Sequence, residues 1–576
     1  MTQKFRLPNL GLVNRNKTIS FHFNGKKYFG YEGDTLASAL LANGIHLVGR
    51  SFKYHRPRGF FGAGVDEPNA KVQLYEGDKT EPNVNATELE LVEGLVAKSQ
   101  NCWPSVEFDV GAINNFFSRF FPAGFYYKTF MWPKSFWYKV YEPMIRKTAG
   151  LGVASPKPDT SRYEHKYEYC DVLVAGSGPS GLSSAYAAAK NGARVILAED
   201  KPRFGGSLLT DDVNIGNQTG KEWAEDVIKE LKQMPNVIVK NRSQVFGYYD
   251  HNMLVMFERV SDHLEHVKPY TPRQKLWYIR AKEVVISTGS IERPLVFGNN
   301  DTPGVILASA AKEYIKLYGV LVGKKPIIFT NNDSAYDTAI EFKKNGINPI
   351  ILDTRSNSTS SVVNEVKEQN IEIRFSHAVI VAKGYKKVKA AEIGKLNLDK
   401  TGYEKTETVN CDCICVSGFW TPTVHLSSQS GNKLQFNEEL DAFVPNQTKQ
   451  QETAVGSANG SFTLEESLTK GFDTGYELSK KINKNDTKLS VPKVVERKYG
   501  KHDKFWCMPL PKNKNYKRFV DFQNDVAVSD IELALREGYR SIEHVKRYTT
   551  LGMATDQGKT SNLNGLQLVS DVEKKI

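Results

Sequence analysis

A glycine-rich turn between an apolar strand and an alanine-rich helix carries the clearest chemical signal in this 576-residue sequence. Asp171–Ala175 is predicted to be the strand, Gly176-Ser-Gly178-Pro-Ser-Gly181 the turn, and the residues up to Lys190 the helix. Gly176 permits the tight turn, Gly178 lets the backbone approach a pyrophosphate, and Gly181 lets the helix pack on the strand. The phosphates would bind the N-terminal amides of the helix. The pattern predicts a dinucleotide site, with a purely structural glycine turn as the alternative.

An acidic residue follows the next predicted strand, where dinucleotide-binding folds hold the ribose. The strand is Arg194–Ala198, and Glu199 comes after it, 23 residues beyond Gly176. A carboxylate here accepts hydrogen bonds from ribose hydroxyls and repels a 2′-phosphate, which favours NAD or FAD over NADP. Lys201 weakens that exclusion slightly. We expect the loop Phe204–Ser207 to lie on the adenosine side of the ligand.

A second βαβ unit has the same architecture without the glycines. Its predicted elements are the strand Pro326–Phe329, the helix Tyr336–Asn345 and the strand Pro349–Leu352. The turn 330–335 offers polar side chains but no close backbone approach, so a structural unit without a nucleotide is favoured, although Asp353 ends the second strand. Two nested βαβ units are typical of two-dinucleotide flavoprotein reductases. Their disulfide chemistry is excluded, because no cysteine lies between Cys170 and Cys411.

Length and composition place these motifs in a multidomain globular protein. A chain of 576 residues suggests roughly three to five domains, and 40% hydrophobic with 25% charged residues excludes wholesale disorder. No apolar run reaches the ~18 residues of a membrane-spanning helix. The first residues lack the apolar core of a secretory signal. Six cysteines make no disulfide framework in a chain of this length, so we expect a reducing, cytoplasmic location.

The formal net charge of +12 does not by itself indicate a polyanionic partner. The 77 Lys and Arg residues exceed the 65 Asp and Glu residues, but the excess is spread in pairs such as Lys26-Lys27 and Lys343-Lys344. No block of five or six basic residues occurs, so a solvated surface is the favoured interpretation. We expect neither a nucleic-acid partner nor a membrane partner.

The remaining reactive side chains form no recognisable catalytic or metal site. Cys411, Cys413 and Cys415 alternate along a predicted strand, where a buried apolar face is favoured over a zinc site that needs four ligands. His263 and His266 follow a polar turn rather than a helix, so a surface position is favoured. No hydrolase motif is present. We therefore predict no metal site and no catalytic residue in this chain.

The N-terminal residues predict a small β-grasp domain. A hairpin with its turn at Asn24-Gly25, a helix beginning at Leu36 and a long loop at Arg50–Asn69 are typical of that fold. An aromatic-dense stretch follows from Cys102 to Tyr141, interrupted by Arg, Lys and Pro, so it cannot span a bilayer. A groove-wrapping or subunit-contact segment is favoured over plain core.

Longer motifs resemble the alpha subunit of heterotetrameric sarcosine oxidase. They are Arg50–Gly59, Gly64–Ala70, Pro122–Met131, Cys170–Pro179, Phe519–Val526 and, most specifically, Ser541–Asn562. The resemblance covers nearly all 576 residues. Close relatives that oxidise other N-methyl amino acids, such as N-methylglutamate, share most of these motifs.

The resemblance implies that this chain binds NAD in its first βαβ unit and that a beta subunit oxidises the amine. That beta subunit would hold FAD at the sarcosine site and covalently attached FMN near the alpha–beta interface, with electrons passing to dioxygen to give hydrogen peroxide. Gamma and delta subunits complete the expected heterotetramer. The implied NAD-binding residues are Gly176, Gly178, Ser180, Gly181, Glu199, Asp200, Lys201, Ser207, Val245, Ala458, Thr463 and Glu465.

The stretch Thr549–Thr560 mixes hydroxyls, glycines and a lysine, the chemistry that cradles a phosphate or a flavin edge. We expect it to leave the helix Ile542–Tyr548 as a loop, and a polar linker is the alternative. Because the resemblance implies that the alpha subunit covers the FMN, we predict that Lys546, Arg547, Thr549, Gln557 and Lys559 lie near that partner cofactor.

Two cluster-binding folds are expected without clusters. No cysteine precedes Cys102, so the loop Gly59–Gly64 cannot ligate the [2Fe–2S] centre that related oxidoreductases carry there. The C-terminal domain has Asp521-Phe-Gln523 where related proteins have cysteines. The chain stops at Ile576, in what would be the linker to the folate-binding, aminomethyltransferase-like domain of the family. Tetrahydrofolate binding therefore depends on whether that domain is lost or supplied by another chain.

The predicted fold class is α/β and multidomain, with a β-grasp domain, two nested Rossmann-like domains and a small helical C-terminal domain. Cys411–Val416 and Ala454–Gly456 are predicted as strands that return to the first Rossmann-like sheet. The predicted domains are 1–100 (β-grasp, ferredoxin-like, without Fe–S ligands), 101–165 (aromatic-rich linker or subunit contact), 166–295 with 411–485 (NAD-binding), 296–410 (inserted second Rossmann-like domain) and 500–576 (helical domain at the subunit interface).

Three functions remain open on the sequence. The first is an NAD-binding subunit of a sarcosine oxidase-type complex, or of a related N-methyl amino acid dehydrogenase, that is inactive alone. The second is a stand-alone FAD-dependent reductase. The third is a scaffold whose βαβ site is empty. The nucleotide released on denaturation distinguishes them.

Overall fold

The computed structural model describes residues 3–75, 77–125, 129–148, 150–483, 486–510 and 516–573. The chain forms two compact units, each assembled from separate stretches. Unit one contains Met1–Thr160, Glu292–Phe419 and Lys498–Ile576, and unit two contains Ser161–Ile291 and Trp420–Arg497.

Unit two is built on a mixed sheet that carries the first βαβ motif. Its strands, in sheet order, are Val237–Lys240, Val195–Ala198, Tyr163–Ala175, Gln274–Ile286, Met253–Arg259 and Ser243–Tyr249, with Glu452–Ala454 also paired to Gln274–Ile286. The first four strands and Glu452–Ala454 run parallel, and the last two form an antiparallel hairpin. Val172, Leu173 and Val174 are fully buried, as expected of a parallel strand covered on both faces.

Three helices cover one face of this sheet. They are Pro179–Lys190, Gly220–Gln233 and Leu464–Asn483. Thr219 caps the second helix in a reciprocal capping box with Glu222. Gly471 lets the third helix touch the first, because a Cβ there would lie 2.0 Å from Ser183 Oγ. Shorter elements of the unit are Gly206–Leu209, Asn214–Ile215, Gln218–Thr219, His425–Gln429, Lys433–Asn437, Ala442–Gln447, Gly456–Asn459 and Val494–Val495.

The N-terminal part of unit one is a five-stranded sheet with one buried helix. The strands, in sheet order, are Lys26–Glu32, Asn14–Phe23, Val96–Ser99, Lys71–Leu74 and Glu81–Asn85. Every residue of the helix Leu36–Ala42 is buried, and Thr35 caps it. The predicted hairpin and helix of the β-grasp domain are confirmed.

The second βαβ unit of unit one has five parallel strands. In sheet order they are Val305–Leu307, Cys413–Ser417, Pro326–Thr330, Ile350–Asp353 and Glu372–Phe375. Its helices are Ala308–Glu313, continued by the π-helical turn Tyr314–Tyr318, Ser334–Lys344 and Ser361–Glu368. An antiparallel sheet of His377–Gly384, Val388–Leu396 and Tyr403–Asn410 adjoins them along the chain.

One strand prediction is wrong. Cys411–Val416 was expected in the sheet of the first βαβ unit, but Cys413–Ser417 lies inside the second sheet, with Ile414 opposite Ile327. All five residues are buried, so the strand has no polar face that would tie it to one sheet rather than the other. The second stretch of unit two consequently begins at Trp420 rather than at residue 411.

The C-terminal part of unit one is a short hairpin followed by three helices. The hairpin pairs Phe519–Asp521 with Val526–Ala527, and the helices are Val528–Arg536, Ile542–Thr549 and Asn562–Glu573. Ile531, Val545, Leu551 and Leu568 share one buried cluster. Among the described residues, no helix is both long enough and apolar enough to cross a bilayer.

Candidate dinucleotide site

The glycine turn, residues 176–181, has the geometry that its spacing predicts. Gly176 has a φ of +103°, and a Cβ there would lie 2.3 Å from the carbonyl oxygen of Ser287. A Cβ on Gly181 would lie 2.0 Å from the carbonyl oxygen of Gly176. A Cβ on Gly178 would meet no heavy atom within 4 Å. Gly176 and Gly181 are therefore required by the protein itself, whereas Gly178 faces open space that a pyrophosphate can enter.

The helix that follows presents its N-terminus to this space. It begins at Pro179, with Gly178 as the N-cap residue, so the cap position has no side chain to bond the first-turn amides. Ser180 is buried in that first turn. A ligand phosphate can therefore accept from these amides at the positive end of the helix.

Glu199 is buried at the end of the neighbouring strand and joined to the glycine turn. Its Oε2 accepts hydrogen bonds from Ser177 N at 2.9 Å and Ser177 Oγ at 2.5 Å, and its Oε1 accepts from Lys201 N at 3.0 Å. Burial raises the pKa of Glu199 to about 8, the charge of Asp200 adds to the rise, and the bonds from Ser177 and Lys201 oppose it. The carboxyl group is thus fixed beside the glycine turn, and it takes up a proton more readily than an exposed glutamate does.

The loop 204–207 lies against the glycine turn, and its expected position on the adenosine side of a nucleotide stays a prediction. Gly206 has a φ of +54°, and a Cβ there would lie 2.9 Å from the Cα of Gly178. Gly205 N donates to the carbonyl oxygen of Ser177 at 3.1 Å. Ser207 is exposed in the 3₁₀ turn that follows. The double glycine therefore brings a second piece of backbone beside the predicted phosphate position.

Val245 lies on the hairpin strand that starts beside Glu199. Ser243 N donates to the carbonyl oxygen of Glu199 at 2.7 Å, and Val245 follows two residues later, half-buried. Asp200 is half-buried, and its carbonyl oxygen accepts from Arg259 at 2.8 Å. These contacts bring Val245 and the acidic pair Glu199 and Asp200 to the same end of the strand Val195–Ala198.

A turn much later in the chain, at Gly456–Asn459, contacts the first turn of the helix Pro179–Lys190. Gly456 has a φ of +66°, and a Cβ there would lie 2.3 Å from Ser180 Oγ, so this turn touches the first helical turn. Ala458 is buried in the same turn. Thr463 and Glu465 are exposed at the start of the helix Leu464–Asn483.

The sequence did not predict the role of Glu496, which accepts hydrogen bonds at the N-terminus of the helix Leu464–Asn483. Its two carboxylate oxygens accept from Leu464 N at 2.7 Å and Glu465 N at 3.1 Å. Ser177 and Gly456 were also missed as contacts of Glu199 and Ser180. The run Gly456-Ser-Ala-Asn-Gly460 was the available signal for a tight turn, whereas nothing in the sequence pairs Glu496 with residue 464.

In the second βαβ unit, a later segment of the chain covers the turn that corresponds to the glycine turn. The segment Lys498–Phe505, which we call the strap, covers the turn after Pro326–Thr330. Gly500 N donates to Asp333 Oδ2 at 2.6 Å, and Asn331 Nδ2 donates to the carbonyl oxygen of Asp503 at 2.8 Å. Arg355 Nη1 donates to the carbonyl oxygen of Lys501 at 3.0 Å.

The acid at the ribose position of this second unit is already bonded. Asp353 Oδ2 accepts from Arg355 Nη2 at 2.6 Å and from Tyr336 Oη at 2.7 Å. Arg355 also reaches Asp333 at 2.5 Å, which makes a buried ion network. Thus the two βαβ units differ at matched positions: Glu199 faces the open glycine turn, and Asp353 lies under the strap.

The loop after the β-grasp helix closes around one carboxylate. Glu67 Oε2 accepts from Phe61 N at 2.6 Å and Gly62 N at 2.8 Å, and Oε1 accepts from Asn69 N at 2.6 Å and Ala70 N at 3.0 Å. Burial raises the pKa of Glu67 to about 7 against these four bonds. Among the described residues, no group of three or more His, Cys, Asp or Glu side chains is arranged to hold a metal ion.

The residues predicted near a partner FMN are spread along one helix and the loop after it. The helix ends at Thr549, which is buried and donates to the carbonyl oxygen of Val545, and Thr550 has a φ of +64°. The chain therefore leaves as a loop, as predicted. Lys546 is half-buried, Arg547 and Gln557 are exposed, and Lys559 donates to the carbonyl oxygen of Asp556 at 3.2 Å.

Family models match three separate parts of the chain. They are a 2Fe-2S iron-sulfur cluster binding domain at residues 16–102, an FAD dependent oxidoreductase at residues 171–257, and a sarcosine oxidase A3 domain at residues 515–576. The solved L-proline dehydrogenase from P. horikoshii aligns over 100% of this chain and 95% of its own, with a TM-score of 0.64 and 18% identity. Fold and site together define an α/β oxidoreductase chain with a nucleotide-binding domain.

Two curated relatives narrow that class. Sarcosine oxidase subunit alpha of Rhizobium meliloti (strain 1021) is 44% identical over 98% of this chain, and that of Corynebacterium sp. (strain U-96) is 30% identical over 97%. The chain spans about half the length of these relatives, 56% and 54% respectively. Over nearly its whole length the chain is similar to sarcosine oxidase subunit alpha, as its motifs predicted.

The β-grasp domain does not fit the iron–sulfur cluster that its matching model describes. Such clusters are held by cysteine thiolates, and the sequence has no cysteine before Cys102. The amides of the loop point instead to the Glu67 carboxylate. The residues present therefore do not hold a [2Fe–2S] centre in this domain.

Proposed function

We propose that this chain is the NAD-binding subunit of a sarcosine oxidase-type complex, in which a partner subunit oxidises sarcosine to glycine on flavin and hydrogen peroxide forms. The observation that carries the proposal is the open glycine turn beside buried Glu199, in a chain similar to sarcosine oxidase subunit alpha.

The residues of unit two would bind and orient the dinucleotide. Gly178 and the first-turn amides of the helix bind the pyrophosphate, Glu199 accepts from the ribose hydroxyls, and Val245 packs on the adenosine side. Ser180, Asp200, Lys201, Ser207, Ala458, Thr463 and Glu465 complete the proposed contacts. When bound, NAD supplies a nicotinamide ring that accepts hydride. A proton leaves Glu199 as the ribose hydroxyls donate to it, because those bonds favour the carboxylate.

We propose one dinucleotide per chain. The strap bonds the turn of the second βαβ unit through its own backbone, and Asp353 is taken by Arg355 and Tyr336. A second dinucleotide would have to displace all of these contacts. The second Rossmann-like domain therefore serves as structure.

The partner assignment follows the family and concerns the C-terminal helices. We propose beta, gamma and delta partners, with Lys546, Arg547, Thr549, Gln557 and Lys559 beside the FMN of the beta subunit. In a reconstituted complex, the double variant Arg547→Ala with Lys559→Ala should slow FMN reduction while FAD reduction by sarcosine stays intact. Lys343→Ala with Lys344→Ala is the matched control. If the double variant Arg547→Ala with Lys559→Ala loads FMN and transfers electrons normally, this loop is a polar linker and not part of an FMN site.

The direct test of the proposed function compares the isolated chain with the reconstituted complex. Sarcosine-dependent peroxide formation should require the partner subunits, and the chain alone should give none. Peroxide from the isolated chain would overturn the proposal. Activity of the complex with N-methylglutamate but not sarcosine would move the substrate to a related N-methyl amino acid.

A stand-alone FAD-dependent reductase is the second candidate, and one observation favours it. The model that matches residues 171–257 describes FAD dependent oxidoreductases. A visible flavin spectrum in the isolated chain would support this candidate.

A further inference from the structure

Large apolar side chains are exposed together in one stretch of unit one. Of 33 large hydrophobic residues that are exposed among the described positions, 15 lie between residues 103 and 153. Phe116 and Trp132 are 83% exposed, and Tyr138 is 82% exposed. We call these residues the aromatic surface; they are Trp103, Phe108, Val110, Ile113, Phe116, Phe117, Phe120, Met131, Trp132, Phe136, Tyr138, Val140, Met144, Leu151 and Val153.

The backbone under this surface is anchored at several points. Ala123 N donates to Asp530 at 3.0 Å, and Tyr54 Oη donates to the carbonyl oxygen of Phe121 at 3.2 Å. Val153 N donates to Gln73 at 2.8 Å. These bonds tie the stretch to the rest of unit one on either side of residues 129–148, and an exposed apolar surface of this extent is typical of an interface. Tyr126 and Tyr127, in the same stretch, lie outside the described residues.

The local elements argue for a protein partner rather than a lipid surface. The helical pieces here are Val110–Ala112, Ile113–Phe116, Ser118–Phe120, Trp137–Tyr141 and Glu142–Thr148. Helices that lie in a membrane interface are continuous amphipathic segments whose backbone bonds are satisfied internally. These pieces join into two short runs, 110–116 and 137–148, which turns separate in the described residues, so they do not make one continuous amphipathic helix.

Composition and charge point the same way. Aromatic residues, Met and Arg are enriched in the centres of protein interfaces. Exposed cations lie along the same stretch at Arg119, Lys134 and Lys139, Arg146 is paired with Glu142, and Glu107 is an exposed acid. A matching partner surface is therefore an apolar groove edged by carboxylates.

We propose that the aromatic surface is the docking surface for the flavin-bearing partner subunit, which presents an apolar groove with an acidic rim. This inference rests on the proposed function, because it takes the chain to be one subunit of a complex. The family relatives are named as subunit alpha, which supports a partner in their case.

The test is assembly of the full chain with a sarcosine oxidase-type beta subunit from the same organism. The triple variant Phe116→Ser, Phe120→Ser and Trp132→Ser should weaken assembly by at least about 30-fold, because buried aromatic anchors dominate interface affinity. The matched control is Tyr167→Ser with Tyr270→Ser and Leu398→Ser, three side chains exposed elsewhere. The control should assemble as the parent does. Hydrogen exchange should slow in residues 103–125 and 129–148 upon assembly.

The outcomes separate this inference from the proposed function. If the parent and the triple variant assemble equally well, the docking surface is wrong while the subunit role stands. If the parent itself does not assemble with the beta subunit, the proposed function fails, and this inference fails with it. Self-association of the isolated chain through these residues, or binding to phosphatidylcholine–phosphatidylglycerol vesicles that the triple variant abolishes, would also overturn it. Unchanged thermal unfolding of the triple variant verifies that it folds.

Discussion

Glu199 and Asp353 are acids at corresponding positions of two βαβ units, and their surroundings give them different roles. Glu199 bonds the glycine turn through Ser177 and Lys201, next to open space at Gly178. Asp353 bonds Arg355 and Tyr336 beneath the strap. The first acid therefore lies at the edge of the candidate site, and the second completes an internal ion network.

Neutralising each acid should separate these roles. Glu199→Gln should lower NAD affinity about 10- to 100-fold, since hydrogen bonds to a charged acceptor contribute about 1.5–3 kcal/mol. Asp353→Asn should leave NAD bound per folded chain unchanged and lower the unfolding temperature, because Arg355 loses a buried partner. Calorimetric titration and thermal unfolding of both variants measure the difference. If Asp353→Asn loses NAD while Glu199→Gln retains it, the nucleotide binds in the second βαβ unit and the assignment to the first is wrong.

The raised pKa of Glu199 predicts that binding of the proposed NAD depends on pH. The free carboxyl titrates near pH 8, and ribose hydroxyls that donate to it lower its pKa in the complex. Binding therefore releases a proton below pH 8, so NAD affinity should rise with pH and level off above about 8. Without nucleotide, the same shift lowers stability as pH rises from the ordinary range of a Glu towards 8. Calorimetric NAD titrations in two buffers of different ionisation enthalpy measure the number of protons released on binding. An NAD affinity that does not change with pH, as expected for Glu199→Gln, would contradict the prediction.

At the scale of elements, two glycines of the turn have different roles: Gly178 leaves room for the ligand, and Gly181 is needed for the fold. Gly178→Ala should leave the free energy of unfolding within about 1 kcal/mol, because the new Cβ meets open space at a negative φ, but it should abolish NAD binding by blocking the pyrophosphate. Gly181→Ala should lower both, because its Cβ would lie 2.0 Å from backbone. Chemical denaturation and NAD titration test the pair. If Gly178→Ala binds NAD as well as the parent does, the pyrophosphate does not bind at this turn.

The Glu67 loop should behave as structure rather than as a metal site. Glu67→Ala should lower the free energy of unfolding by at least about 3 kcal/mol, because four backbone amides lose a buried acceptor. Exposed Glu81→Ala is the control, with an expected change within about 0.5 kcal/mol. Equal stability of the two variants in chemical denaturation would mean that water replaces the carboxylate without cost.

Local patterns predicted most of these elements, and long-range pairings explain what was missed. The spacing of three glycines and one acid gave the turn and Glu199, because backbone approach and strand length constrain both directly. Cys413–Ser417 was assigned to the wrong sheet, since an entirely apolar strand fits the middle of either one. The strap has no periodicity, and its bonds join backbone groups to residues such as Asp333, 167 positions away in sequence from Gly500. Such a contact leaves no local signal.

At the scale of the whole molecule, the chain combines a unit that carries the candidate nucleotide site with a unit that carries the aromatic surface. Unit two holds the complete candidate site within itself, from the glycine turn to Gly456 and Glu496. Unit one contributes a cluster-free β-grasp domain, a Rossmann-like domain closed by its strap, and the aromatic surface. This division agrees with a subunit that binds NAD and depends on partner flavins for amine oxidation.

The most direct test of the account identifies the nucleotide that the isolated chain retains. The purified chain is incubated with equimolar NAD and FAD, desalted and denatured, and the released nucleotide is identified by mass and quantified. The account predicts NAD at one molecule per chain, with no visible absorbance in the protein before denaturation. Release of FAD, or of no nucleotide at all, would contradict it.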